Sequence, residues 1–259
     1  IAQIKSEIKG EGTNLIDFNK ILALPKELEN TQSPIKIITK KEYKIQENRL
    51  ANNELTENEK KWGVSRGLTN ELAKEYINKF GANNWYDWQI KNWGTKWNAY
   101  DCIDIDNGIQ FLTAWSTPLS LLAKLSEKYP DVEINIKYSD EDFGYNVGEY
   151  TLLNGIVVES FIPDGGSVEA YIMAIEIQYG EPSDYFDCNI EIFTNDWIDS
   201  DSTQLTDYTK NMIDIAYDCE FFPFENCNWN ILALERFKEI ALKKENYELV
   251  IIIDKELKK

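Results

Sequence analysis

The chain has 259 residues, 43% apolar and 13% aromatic, a composition that builds a core and excludes a disordered or low-complexity protein. It holds no histidine, which removes the commonest general base, the Ser-His and Cys-His nucleophile pairs and most catalytic zinc sites. The net charge of -18 is one-sided, with 18 Lys/Arg against 17 Asp/Glu in residues 1 to 130 and 9 against 28 in residues 131 to 259; such an acidic half repels nucleic acid and anionic lipid.

Residues 1 to 14 allow a strand or a frayed helix. Residues 16 to 24 (IDFNKILAL) alternate and then turn fully apolar, which predicts a first strand stopped by Pro25. From 26 to 66 the chain is Lys-, Glu-, Asn- and Gln-rich, a solvated and partly helical excursion. Thr69 then caps a helix with Leu72, Tyr76, Ile77 and Phe80 at helical spacing and Gly81 as its stop. A second helix is predicted over 84 to 93, with Trp85, Trp88 and Asn92 along one side and Gly94 ending it.

Residues 98 to 105 and 109 to 115 read as two strands around Asn107-Gly108. A type I′ turn there sets Tyr100 opposite Trp115, Cys102 opposite Thr113 and Asp104 opposite Phe111, with Ile103 and Leu112 on the other face. Both faces are apolar, so the hairpin is expected to be covered on both. Thr117-Pro118 opens a helix with Leu122 and Leu125 on its inner face. Residues 132 to 138 alternate strictly, as a strand near a sheet edge does.

The predicted order of strand, helix, strand, strand, helix, strand is that of a ferredoxin-like split β-α-β domain. An added β-hairpin turns at Asn154-Gly155, and residues 1 to 163 form this first domain. Residues 164 to 259 are expected to be a smaller acidic α+β region. In it, helices span 168 to 179, 205 to 219 and 229 to 240, and strands span 186 to 192 and 247 to 253.

No apolar run approaches the roughly 18 residues that cross a bilayer. The chain starts at Ile1 rather than methionine, which leaves room for a removed leader. The four cysteines, Cys102, Cys188, Cys219 and Cys227, form no C-x-x-C pair, which argues against a zinc ribbon or an iron–sulfur cluster. Buried free thiols in a reducing cytoplasm are expected, with no metal and no cofactor.

Four of the eight tryptophans lie between Asn83 and Asp101. The run NWYDWxxxNWGTKWNAYD there, with FxTAWSxP from Phe111 to Pro118 and DFNKI from Asp17 to Ile21, resembles the YubB-type ferredoxin-like domain family of bacterial plasmids, phages and genomic islands. The resemblance covers about residues 15 to 155; near Ala23 the family pattern has proline. It implies a ferredoxin-like fold and a mobile-element setting, and it carries over no catalytic residue.

The tryptophans admit two readings. In one, Trp85, Trp88, Trp93, Trp97 and Trp115 are an aromatic core joining helix to sheet, with Asn92, Thr95 and Asn98 bonding the turn. In the other, Trp93, Trp97 and Trp115 flank Lys96 and a carboxylate, Asp87 or Asp101, as a platform for a planar or anionic ligand. Lys96 discriminates: it pairs with an aspartate, stacks on a ring or meets a ligand, and pairing is the expectation. Single-strand RNA binding has little support, because the ring positions of such domains match only in part.

In the acidic half, Asp196, Asp199, Asp201, Asp207, Asp214 and Asp218 could imitate a nucleic-acid backbone and occupy a basic DNA-binding protein. Three classes stay open: a non-catalytic interaction protein with a protein partner of basic character, an acidic decoy, and a carboxylate or lysine enzyme beside the tryptophans. The first is the reading adopted, with no membrane partner and no direct nucleic-acid binding.

Overall fold

The structure, a computed structural model, describes residues 1–195, 197–199, 202–222 and 229–258. Its fold class is α+β, helices with antiparallel sheet. Chain contacts divide it into two compact units, Ile1–Ile134 with Leu152–Val158, and Asn135–Thr151 with Glu159–Lys259.

The first unit opens with α1 (Ala2–Ile8) and α2 (Phe18–Ile21). The predicted first strand is therefore a short helix. Asp17 decides it: its carboxylate accepts from the Asn19 amide at 3.0 Å, and this local cap turns an apolar run into a helical turn. Phe18 and Ile21 are buried, so the burial expected of the run is kept although its backbone is not extended.

The polar excursion carries α3 (Lys40–Ala51) and α4 (Glu57–Trp62), neither with a buried residue, as its composition implied. Both begin in a capping box, Thr39 with Glu42 and Thr56 with Glu59. Glu59 also receives both arms of Arg49, at 2.5 and 2.6 Å, which joins the two helices. The Arg49 guanidinium, helped by the Thr56 amide and hydroxyl, pulls the Glu59 carboxyl from its ordinary 4.5 down to about 2.

Because the folded-state value is the depressed one, the contribution is complete above about pH 4.5 and is lost as pH falls through about 2. In a carboxyl-carbon NMR titration Glu59 should reach its midpoint near 2, and Arg49→Ala should carry it back toward 4.5. An unchanged midpoint in the variant would show that the pair is not what holds the proton off.

Next come α5 (Asn70–Phe80), capped by Thr69 and closed by left-handed Gly81 as read from sequence, and α6 (Trp85–Trp93), closed by left-handed Gly94 as read and capped by Asn84, which the sequence reading places as its first residue. They lead into β1 (Tyr100–Ile105), β2 (Gly108–Leu112) and α7 (Leu119–Lys128). Helix α2 packs on α1 and α7, and α7 on α6. The core of this unit includes Phe18, Leu28, Leu68, Trp88, Trp93, Leu121 and Leu125.

The hairpin forms, but in a different register. Ile105 faces Gly108, Asp104 faces Ile109 and Ile103 faces Gln110, so the turn is Asp106-Asn107. Neither Asn107 nor Gly108 has the positive φ that a type I′ turn demands. Lys5 reaches across from α1 to bond the Asp104 carboxylate at 2.5 Å and the Ile105 carbonyl at 2.7 Å, a tertiary hold on the turn that no local pattern encodes.

β3 (Ile134–Ser139), β4 (Val147–Leu153) and β5 (Ile156–Phe161) make a separate three-stranded sheet in that order, so the strands fall in two sheets rather than one. β3 lies at an edge, as its alternation suggested. Asn154 and Gly155, with φ of 50° and 77°, make the turn expected of Asn-Gly.

Among the described residues the second unit's C-terminal part is helical: α8 (Val168–Tyr179), α9 (Pro182–Cys188), a 3-10 turn at Ile190–Phe193, α10 (Asp207–Asp218), α11 (Ile231–Lys243) and α12 (Tyr247–Glu256). Two predicted strands are thus helices. Pro182 at the first helical position starts α9, and Asn246, accepting from the Leu249 amide at 3.2 Å, starts α12. Leu249 and Ile253 then bury one helical face. The core centres on Tyr171, Ile175, Phe186, Phe193, Met212 and Phe237.

Among the described residues the thiols are free, but burial is not what the structure gives them: Cys188 and Cys219 are exposed and Cys102 is half-buried, while Cys227 lies outside the described residues. No helix among the described residues is long and apolar enough to cross a membrane.

Candidate functional site

The tryptophan-rich stretch separates into an inner and an outer pair. Trp88 and Trp93 are buried, their rings edge to face with centroids 6.0 Å apart, and Phe18 meets Trp93 edge-on at 5.6 Å. The Trp93 indole Nε1 donates to the Leu22 carbonyl at 2.8 Å, so its polar edge is satisfied inside the core. Trp93 is therefore a core residue and takes no part in a ligand platform. Trp85 is half-buried against Tyr86.

Beyond Gly94 the chain turns outward. Thr95 is fully buried and exchanges two hydrogen bonds with Ala114, donating to its carbonyl at 3.0 Å and accepting from its amide at 3.2 Å. Ser116 Oγ donates to the Gly94 carbonyl, and Thr113 Oγ1 donates to the Ser116 carbonyl at 2.8 Å. These bonds lace the segment after α6 to the segment after β2 and bring Lys96, Trp97 and Trp115 together. Asn98 anchors the base: its side-chain oxygen accepts from the Phe18 amide at 2.9 Å and its amide donates to Asp17 at 2.7 Å. Sequence reading named Thr95 and Asn98 as turn-bonding residues but not Ala114 or Ser116, whose contributions come from backbone groups and a loop hydroxyl.

The Lys96 ammonium sits 3.9 Å from the centroid of the Trp97 ring and 3.4 Å from that of Trp115. The expected aspartate pairing does not occur among the described residues. Asp87 is spent on its own helix, accepting from the Asn84 side chain at 2.7 Å while its amide donates back to Asn84 at 2.9 Å. Asp101 is exposed and forms no ion pair with Lys96.

Trp97 and Trp115 remain 46% and 69% exposed. Trp115 has φ of 65° and Asp101 of 46°, a region costly for residues with a bulky or ordinary side chain. Such a conformation costs ~1–3 kcal/mol, and burial of the Trp115 ring does not offset it.

The strain at Asp101 coincides with a bulge, since the pairing shifts between Tyr100, opposite Leu112, and Ile103, opposite Gln110. Two residues of β1 there, Asp101 and Cys102, oppose one of β2, Phe111, so Tyr100 is brought onto the same face as Ile103 and Ile105, with Leu112 beside them. All four are exposed. The opposite face carries Phe111, which meets Phe18 with centroids 6.0 Å apart. The hairpin is covered on one side and open on the other, against the expectation of two covered faces.

In the acidic region Asp207, Asp214 and Asp218 line one side of α10 and are largely neutralised from within. Lys210 approaches Asp207 at 3.1 Å, Arg236 grips Asp214 with contacts of 2.8 Å, and Lys244 pairs with Asp218. Asp199 has interactions of its own and is not free. Asp196 and Asp201 lie outside the described residues.

No group of three or more carboxylates and thiols able to hold a metal occurs among the described residues. A depression of about 350 Å³ lies on β4 and β5, lined by Glu149, Tyr150, Thr151, Glu159, Ser160 and Phe161, and no tryptophan borders it.

Residues 92–181 match the family model described as "Ferredoxin-like domain in Api92-like protein". The matched stretch runs from the end of α6 through both sheets and α8, and so contains Lys96, Trp97 and Trp115. It begins at 92 rather than near 15 and ends at 181 rather than near 155, the limits drawn from the tryptophan-rich motif. Neither a curated protein nor a solved structure matches the chain.

Proposed function

We propose that the chain is a non-catalytic interaction protein that engages a protein partner through the open face of the β1–β2 hairpin and the adjoining Trp97 and Trp115. The observation that carries this reading is the contiguous exposed face of Ile103, Ile105 and Leu112, to which the bulge at Asp101 adds Tyr100. Isolated surface apolar residues are ordinary, whereas a clustered face marks a contact surface. Aromatic anchors ringed by polar groups are the usual centre of such contacts. A bacterial mobile-element setting is inferred from the resemblance of the tryptophan-rich motif, and a cytoplasmic location from the free thiols among the described residues.

The acidic-decoy reading draws less support, since three of its named aspartates are held by Lys210, Arg236 and Lys244. An enzyme beside the tryptophans draws less as well, because Lys96 lies between rings and Asp87 caps its own helix.

The test compares the wild-type chain with the double variant Ile103→Asp, Leu112→Asp as bait in a cell extract at physiological salt. Proteins held by the wild type should be missing from the variant. Both side chains are exposed, so the melting temperature should barely move. The reading fails if both baits hold the same proteins or if neither holds any.

A further inference from the structure

We infer that Trp97 and Trp115 form an aromatic clamp for an ammonium group, which Lys96 fills in the free chain and which a lysine side chain of a basic partner enters when Lys96 swings out. This rests on the reading of the hairpin as a contact surface and names the chemistry that the surface selects.

The geometry itself shows that the clamp accepts an ammonium. Lys96 Nζ lies 3.9 Å and 3.4 Å from the two ring centroids, within the range where the electron-rich ring face attracts a cation. Lys96 has neither a carboxylate partner nor a hydrogen bond among the described residues, so ring attraction is what holds it there. A flexible four-carbon stem with nothing else anchoring its head can leave at little cost. What it leaves behind does not collapse readily, because the two loops are pinned by the Thr95–Ala114 exchange and by the Ser116 bond to Gly94.

The occupant follows from what the rings already hold, an ammonium on a flexible alkyl stem, which is the head of a lysine side chain. A partner's lysine would meet the same two rings that Lys96 now meets. Lys96 then acts as an internal competitor. Apparent affinity for an external ammonium is reduced by the fraction of time the clamp is filled.

The test uses the full chain with N-acetyl-lysine methylamide as probe and its norleucine counterpart, which lacks the ammonium, as control. Binding is followed through the indole N–H resonances of Trp97 and Trp115. The lysine probe should shift both resonances and the norleucine probe should not. Lys96→Ala should bind the lysine probe about tenfold more tightly than wild type if Lys96 fills the clamp about nine-tenths of the time. Trp115→Ala, a change at an exposed ring, should fold normally and lose the response.

Equal shifts from the two probes would overturn the inference, as would a Lys96→Ala variant that binds no better than wild type. Either failure, alongside capture that still depends on Ile103 and Leu112, would remove the clamp and leave the contact surface standing.

Discussion

Trp93→Ala should lower the unfolding free energy by about 3–5 kcal/mol, the usual cost of emptying a large aromatic site in a core. Trp93 is 1% exposed and meets both Phe18 and Trp88 edge to face. The substitution also strands the Leu22 carbonyl, which loses its indole donor. Trp115→Ala, twenty-two residues on and largely exposed, should change stability by less than about 0.5 kcal/mol. Urea unfolding of the two variants side by side separates packing from recognition. A loss below about 1 kcal/mol for Trp93→Ala would return that residue to the surface site.

A loss of similar size, about 3–5 kcal/mol, is expected for Phe237→Ala in the second unit. Phe237 is fully buried on α11 and presents its edge to Phe193 at 5.8 Å and to Trp229 at 5.6 Å. Removing it opens a void where α10, α11 and the 3-10 turn meet. Amide hydrogen exchange should accelerate across α10, α11 and α12 while amides of α5 and α6 keep their protection. Acceleration confined to α11 would show that these helices do not share one cooperative core.

Elements with a strong local signal were legible in the sequence. Thr69 with Gly81 and Asn84 with Gly94 bracket α5 and α6, because a side-chain oxygen at one end and a left-handed glycine at the other satisfy the helix's orphan groups without tertiary help. Asn154-Gly155 made its turn for a similar reason.

The short apolar runs at 16 to 24, 186 to 192 and 247 to 253 carry the pattern of strands and fold as helical turns. A buried helical turn and a buried strand of that length carry the same pattern. The weak caps at Asp17 and Asn246, and Pro182 at the start of α9, settled the matter.

The hairpin lies between these cases. Its existence was written in Asn107-Gly108, but its register depends on Lys5, about a hundred residues away, and on the bulge at Asp101. The bulge adds Tyr100 to the exposed face that Ile103, Ile105 and Leu112 share.

By itself the sequence determined the ends of α5 and α6, the turn at Asn154-Gly155, the charge asymmetry, and the placing of Lys96 among the tryptophans. Tertiary structure alone decided which tryptophans are core and what Lys96 touches. Burial of Trp93 depends on Phe18 and Leu22, and the nearness of Trp115 to Lys96 depends on bonds between Thr95 and Ala114, nineteen residues apart. No periodicity along the chain reports such a bond, because its energy belongs to two segments at once.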